Sequence, residues 1–231
     1  MKFWVNSQHG INTVFGELVV VPVFSGDFQG ASPCDSATLA ECNDIMDGAL
    51  MRLARNEAFA GKNGTMLRYF TDEAILASQV MLLGLGDKES VTTDTLKTAL
   101  AAMFRKISEL KLSEVSIDMH SLLQDDWFDA YPLGELLGST ACFLDHTVIH
   151  YKTKRGGYDG DHNLGTLRAL VPQAAHKAFR DGMFAGRKIA RGVNLTRDLV
   201  ETPGGDLRPT GMVKAAKKVV AESNGKITAN F

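Results

Sequence analysis

Val14-Phe-Gly-Glu-Leu-Val-Val-Val-Pro-Val23 is a nearly continuous apolar run rich in valine. A strand that is apolar on both sides must be covered on both sides, as an inner strand of a parallel sheet is. Working outward, Ser25-Gly-Asp-Phe-Gln-Gly30 reads as a loop. Asp35 or Ser36 can cap a helix running to about Ala54, with Leu39, Ile45, Met46, Ala49, Leu50 and Leu53 on one side. Asn63-Gly64 is a turn signal. Thr65–Thr71 and Gln79–Leu85 read as strands, the second more strongly. Thr92 or Thr93 caps a helix to about Leu110, with Leu96, Leu100, Met103, Phe104, Ile107 and Leu110 at helical spacing. Glu114–Met119 alternates like a strand. Leu133–Leu144 reads as a helix with small residues at Gly134, Gly138 and Ala141. Lys152–Gly165 reads as a charged, glycine-rich loop, and Thr166–Val171 as another strand.

This alternation of strands and helices predicts an α/β layer fold around a mixed, mainly parallel sheet. The alternation ends near Pro172. From Ala174 to Val200 a helical pattern follows, with Phe179, Met183, Gly186, Ala190 and Val193 on one side. A helix of that length spans roughly 39 Å, enough to bridge two domains. Thr202-Pro-Gly-Gly205 breaks it. Thr210–Ser223 reads as a second helix, Asn224-Gly225 as its stop, and Lys226–Phe231 as the start of a strand. The expected organisation is an α/β domain over residues 1–172, a linker helix and turn over 173–209, and the beginning of a further domain over 210–231.

With 231 residues, 45% hydrophobic and 23% charged, the chain can bury a substantial core. No apolar run is long enough for a membrane helix, and Met1–Gly10 lacks a signal-peptide core. Cys34, Cys42 and Cys142 are odd in number and form no CxxC pair, which reads as reduced thiols in a cytoplasmic protein. Charge is uneven. Residues 176–231 carry eleven Lys/Arg against five Asp/Glu, whereas residues 1–175 carry fourteen against twenty-two. No aromatic residues interleave the basic ones as base stacking requires. The basic tail therefore reads first as a linker face turned to an acidic neighbour or to water, with a nucleic-acid surface as the alternative.

The constellations that could carry chemistry are weak. His146-Thr-Val-Ile-His150 has the spacing of two zinc-binding histidines, but Thr147 stands where the general base belongs. Leu83-Gly-Leu-Gly-Asp-Lys-Glu89 follows a strand, yet Glu89 replaces the third glycine of a dinucleotide fingerprint and sets a carboxylate where a pyrophosphate would lie. Asp125, Asp126 and Asp129 cluster, and a solvated loop before a helix N-terminus accounts for them. Cys34 and Cys42 have neither zinc spacing nor an adjacent base. No catalytic, metal-ligating or cofactor-binding residue is assigned.

Three stretches carry a family resemblance. Val80–Glu89 followed by a Thr-capped helix resembles the N-terminal domain of the leucyl (cytosol) aminopeptidase family. Leu136-Leu-Gly-Ser139 with Phe143-Leu-Asp145 and Tyr151-Lys152 resembles that domain's late helix and the stretch after it. Asn194-Leu-Thr-Arg-Asp-Leu-Val-Glu-Thr-Pro203 with Pro209 looks like the family's junction between domains and is the most specific of the three. The chain departs from the pattern at Glu201, where Asn is common, and at Gly204-Gly205.

The resemblance implies a macro-domain-like three-layer unit, similar to domains that bind ADP-ribose, followed by a long linker helix. It also implies a homo-oligomer, hexameric in the intact protein. The partner would be a C-terminal catalytic domain holding two divalent metals (Zn, Mn or Mg) that removes N-terminal amino acids from peptides. That domain's "NTDAEGR" stretch is absent from these residues. The chain is therefore expected to be inactive alone and to serve oligomer assembly and access to the active sites. The alternatives are a stand-alone nucleotide or ADP-ribose module, or a DNA-binding accessory domain.

Overall fold

The computed structural model describes residues 1–7, 10–28, 36–124, 127–146 and 164–230. Six strands, β1 (Lys2–Asn6), β2 (Leu18–Val23), β3 (Met66–Phe70), β4 (Gln79–Gly84), β5 (Glu114–Asp118) and β6 (Thr166–Leu170), form one sheet in the order β1-β6-β5-β2-β4-β3. All neighbours run parallel except β3, which is antiparallel to β4. The sheet is thus mixed and mainly parallel, within an α/β fold. The helices are α1 (Ala37–Ile45), α2 (Ala49–Asn56), α3 (Thr93–Glu109), α4 (His120–Leu123), α5 (Ala130–Leu144), α6 (His176–Glu201) and α7 (Pro209–Glu222).

The valine run lies at the inside of the sheet, and all six residues of β2 are buried. Leu18 and Val20 join a core with α3, α5 and α6 on one face. Val19, Val21 and Val23 join a second core with α1 and α2 on the other. Each fully buried Val or Leu side chain contributes roughly 1.5–3 kcal/mol. Pro22 has no N–H to give an inner strand, but the ladder from β2 to β5 stops at Val20, so the proline stands where that pairing has ended.

Two expectations need correction. The single helix expected from position 35 or 36 to Ala54 is two helices. Ser36 caps α1, its Oγ accepting from the Leu39 N–H at 3.2 Å. The break falls at Asp47 (φ 48°) and Gly48 (φ 77°), a left-handed pair that a continuing helix cannot accommodate. Asp35 lies outside the described residues, as does most of the Lys152–Gly165 loop. The strand expected at Lys226–Phe231 is absent over residues 226–230. A strand persists only with a partner ladder, and the compact unit that holds these residues, Arg191–Phe231, contains only helices among its described residues.

The other compact unit is Met1–Ala190, and the boundary falls inside α6. Within this first unit, α5 and α6 cross in backbone contact. A Cβ added to Gly182 would lie 2.1 Å from the Tyr131 carbonyl oxygen, and one on Gly186 would lie 2.1 Å from that of Glu135. From the facing helix, a Cβ on Gly134 or Gly138 would lie 2.2 Å from the carbonyl oxygen of Phe179 or Met183. Glycine spaced by four on both helices allows this approach, and no other residue fits.

Both tryptophans, Trp4 and Trp127, lie in this first unit, so their fluorescence reports its unfolding. Gly182→Ala is expected to lower the fluorescence-detected stability by about 2–3 kcal/mol, because rigid backbone must move. Gly192→Ala, where nothing lies within 4 Å, should leave that midpoint in place. Equal effects from the two variants would refute the crossing as described.

Candidate functional site

Open α/β sheets offer ligands the crevice at the carboxyl ends of their parallel strands. Here those ends are Asn6, Val23, Gly84, Asp118 and Leu170. After Val23 the chain turns tightly through a 3-10 turn, Ser25–Phe28. The Phe24 N–H donates to Asp27 Oδ2 at 2.7 Å, the Asp27 N–H donates to the Phe24 carbonyl at 3.1 Å, and Asp27 is fully buried.

The glycine that ends β4 and the one just after it are used in the same way. The Gly84 N–H donates to the Thr65 carbonyl (2.9 Å), that of Leu85 to Val23 (2.9 Å) and that of Gly86 to Gly61 (2.8 Å). The Ser25 N–H in turn donates to the Gly86 carbonyl at 2.8 Å. A Cβ on Gly84 would lie 2.2 Å from the Lys62 carbonyl oxygen, so this glycine serves contact with the 61–62 backbone. Gly86 is needed for its φ of 85°. A phosphate cradle requires backbone N–H groups aimed at the anion; these amides are bonded within the fold.

Glu89 sits exposed in a 3-10 turn, Lys88–Ser90. The start of α3 is closed by a capping box, in which the Thr95 N–H donates to Thr92 Oγ1 (3.3 Å) and the Thr92 N–H donates to Thr95 Oγ1 (2.8 Å). Leu83–Glu89 is therefore a sheet-closing turn.

At the end of β5, Asp118 is buried and its Oδ1 accepts from the His120 N–H (3.2 Å) and lies 2.7 Å from His120 Nδ1. Cys42 is also buried. Loss of solvent, then the charges of Asp118 and Glu41, push its thiol well above the ordinary range. A protonated, enclosed thiol is not a nucleophile, so Cys, His and Asp here do not form a catalytic set. In the other core, Trp127 packs on Phe24 (5.2 Å between centroids) and Phe128 (5.0 Å), and Lys88 Nζ stands 5.9 Å and 5.8 Å from the Phe24 and Trp127 centroids.

His146 lies beyond Asp145, the C-terminal cap of α5, and so is not on a helix. His150, Cys34, Asp125 and Asp126 lie outside the described residues. Asp129 is at the N-terminal cap of α5, where negative charge is favoured. Among the described residues no three His, Cys, Asp or Glu side chains are grouped to hold a metal ion. None of the helices there is long and apolar enough to cross a membrane. In the second unit, Arg191 and Lys218 both reach Glu222, at 3.7 Å and 4.0 Å. Asp27 and the Asp118–His120 pair escape sequence reading. Asp118 follows Glu114 and Ser116 on the polar side of an alternating strand, yet Ser116 and Asp118 are both buried.

Residues 20–128 match the family model described as the cytosol aminopeptidase family, N-terminal domain. A probable cytosol aminopeptidase of Alkaliphilus oremlandii (strain OhILAs) is 26% identical over 210 residues, covering 90% of this chain and 40% of that protein. A probable cytosol aminopeptidase of Geobacter sp. (strain M21) is 29% identical over 185 residues, covering 78% of this chain and 35% of that protein. Among solved structures, a mutant of tomato leucine aminopeptidase matches with a TM-score of 0.75 at 13% identity, over 97% of this chain and 43% of that one, a likeness of fold. The chain thus spans well under half the length of the curated relatives it matches.

The rim geometry gives a direct prediction. Asp27→Ala leaves the buried Phe24 N–H without its acceptor, which should cost about 1–3 kcal/mol and shift the emission of Trp127. Asp27→Asn, which keeps an acceptor oxygen, should recover part of the loss. Full stability in the alanine variant would remove Asp27 from the account of the rim.

Proposed function

Because the chain carries an N-terminal domain of the cytosol aminopeptidase family, we propose that it is the non-catalytic part of a metal-dependent exopeptidase. The whole protein would remove N-terminal amino acids from peptides in the cytoplasm, with two divalent metals activating water and polarising the carbonyl. The observation that carries this reading is the match itself. It falls on the N-terminal domain model, in a chain spanning 40% of a relative's length. The donor set does not fit a metal pair among the described residues, so no step of hydrolysis is assigned to this chain.

In this reading residues 1–172 form the N-terminal domain, 173–209 the linker, and 210–231 the start of the catalytic domain, which is the chain's own partner. The N-terminal domain serves assembly of a homo-oligomer, a hexamer in the intact enzyme, and shapes access to the active sites. A nucleotide or ADP-ribose module would need free amides at the carboxyl rim, and those of Gly84, Leu85, Gly86 and Ser25 are bonded internally. Nucleic-acid binding draws no support from the second unit, where Arg191 and Lys218 already reach Glu222.

Incubation of the chain with a leucyl anilide and manganese should give no turnover above a metal-only blank, and calorimetry with millimolar ADP-ribose should give no heat. Turnover would overturn the non-catalytic assignment. Saturable heat would favour the ligand-binding module.

A further inference from the structure

The two edges of the sheet are finished differently. At the β1 edge, the Lys2 N–H donates to the Gly165 carbonyl (2.7 Å) and the Val171 N–H to the Asn6 carbonyl (2.9 Å), which turns the backbone of Phe3 and Val5 outward. α6 closes that side. His176 Nε2 lies 3.0 Å from the Val5 carbonyl oxygen, the Phe184 ring lies 6.2 Å from that of Phe3, and Arg187 Cζ stands 5.6 Å from the Phe3 centroid.

β3 forms the opposite edge. The Thr71 N–H donates to the Ser78 carbonyl at 3.1 Å and the Gly84 N–H to the Thr65 carbonyl at 2.9 Å. The antiparallel alternation between these pairs turns the backbone of Leu67 and Tyr69 to β4 and that of Met66, Arg68 and Phe70 to the open edge. Among the described residues nothing bonds to those outward N–H and C=O groups. Side chains alternate as well. Leu67 and Tyr69 belong to the core under α1 and α2, so Met66, Arg68 and Phe70 lie on the other face. Arg68 is exposed, and Phe70 is 55% exposed. A charge on an edge strand ordinarily blunts it. Here Arg68 is drawn back over its own sheet: its Cζ stands 5.0 Å from the Phe70 centroid, and its Nη1 donates to Gln79 Oε1 at 3.3 Å.

These features select an occupant. A row of unpaired N–H and C=O groups is completed by another extended backbone. Both contacts of Arg68 are to neutral groups, and among the described residues no Asp or Glu pairs with it, so its charge is open to an acidic side chain opposite. Met66 and Phe70 stand two residues to either side of Arg68 on the same face and favour apolar residues at that spacing on the added strand. We propose that the β3 edge takes up an extended acidic peptide, with an apolar residue two positions to either side of its carboxylate, as a further antiparallel strand.

The probe is the fluorescein-labelled, end-capped peptide Thr-Val-Thr-Glu-Thr-Val-Thr. Its anisotropy on titration with the full chain, to about 1 mM, is expected to saturate with a Kd on the order of 100 μM. In antiparallel pairing the N–H groups of its valines and glutamate face β3, so N-methylation at those residues should weaken binding at least about tenfold. Arg68→Glu should weaken it by a similar factor, and lysine in place of the peptide's glutamate should restore binding to that variant. Arg68 is exposed, so the variant should keep the wild-type circular dichroism spectrum and thermal midpoint. Absence of saturable binding, or binding indifferent to N-methylation and to the charge swap, overturns the peptide site. So does wild-type self-association in sedimentation velocity that excludes the peptide, an outcome that gives the edge to a second copy. Each of these failures leaves the non-catalytic assignment untouched.

Discussion

Six consecutive strand residues with no exposed side can exist only between two layers, and Leu18–Val23 is such a strand. Its alternate side chains divide the molecule into two cores, one closed by α1 and α2 and the other by α3, α5 and α6. The second of these layers has a further requirement. α5 and α6 approach until backbone meets backbone at Gly134, Gly138, Gly182 and Gly186. That contact seats Phe179 and Met183 fully buried in the core. It therefore fixes the first half of α6, the helix that continues into the second compact unit.

The same parallel strands create a crevice at their carboxyl ends, and the chain fills much of it with its own groups. Val23, Gly61, Thr65 and Gly86 supply carbonyls to the amides of Leu85, Gly86, Gly84 and Ser25. Trp127 and Phe24 pack at a tilt beside Lys88. Glycines that look like a nucleotide fingerprint are there for chain geometry: Gly84 because the 61–62 backbone leaves no room, Gly86 for its left-handed φ. Consistent with this, the chain matches a domain of the cytosol aminopeptidase family that, in the function proposed here, supports the chemistry without performing it.

Much of the fold was legible because hydrophobic period and turn chemistry agree. The Thr92 cap, the Leu96-to-Ile107 stripe and the Val80–Leu83 run all appear where the pattern puts them. Less legible was whatever depends on contacts distant in sequence. β1 is five residues long and owes its place to pairing with β6, more than 150 residues later. The α1–α2 break turns on Asp47-Gly48, a turn signal inside an otherwise continuous apolar stripe. At the rim, the burial of Asp27 and Asp118 carries no sequence signal, because their partners, Phe24 and His120, satisfy them only after the chain has turned.

The central claim is that the carboxyl-rim amides hold the fold together and are not held ready for a ligand. Hydrogen exchange resolved to single amides tests it most directly. Gly84, Leu85 and Gly86 should exchange as slowly as Leu82 inside β4, and addition of ADP-ribose should leave their rates unchanged. Rapid exchange in the free protein, with protection appearing on addition of ADP-ribose, would contradict it.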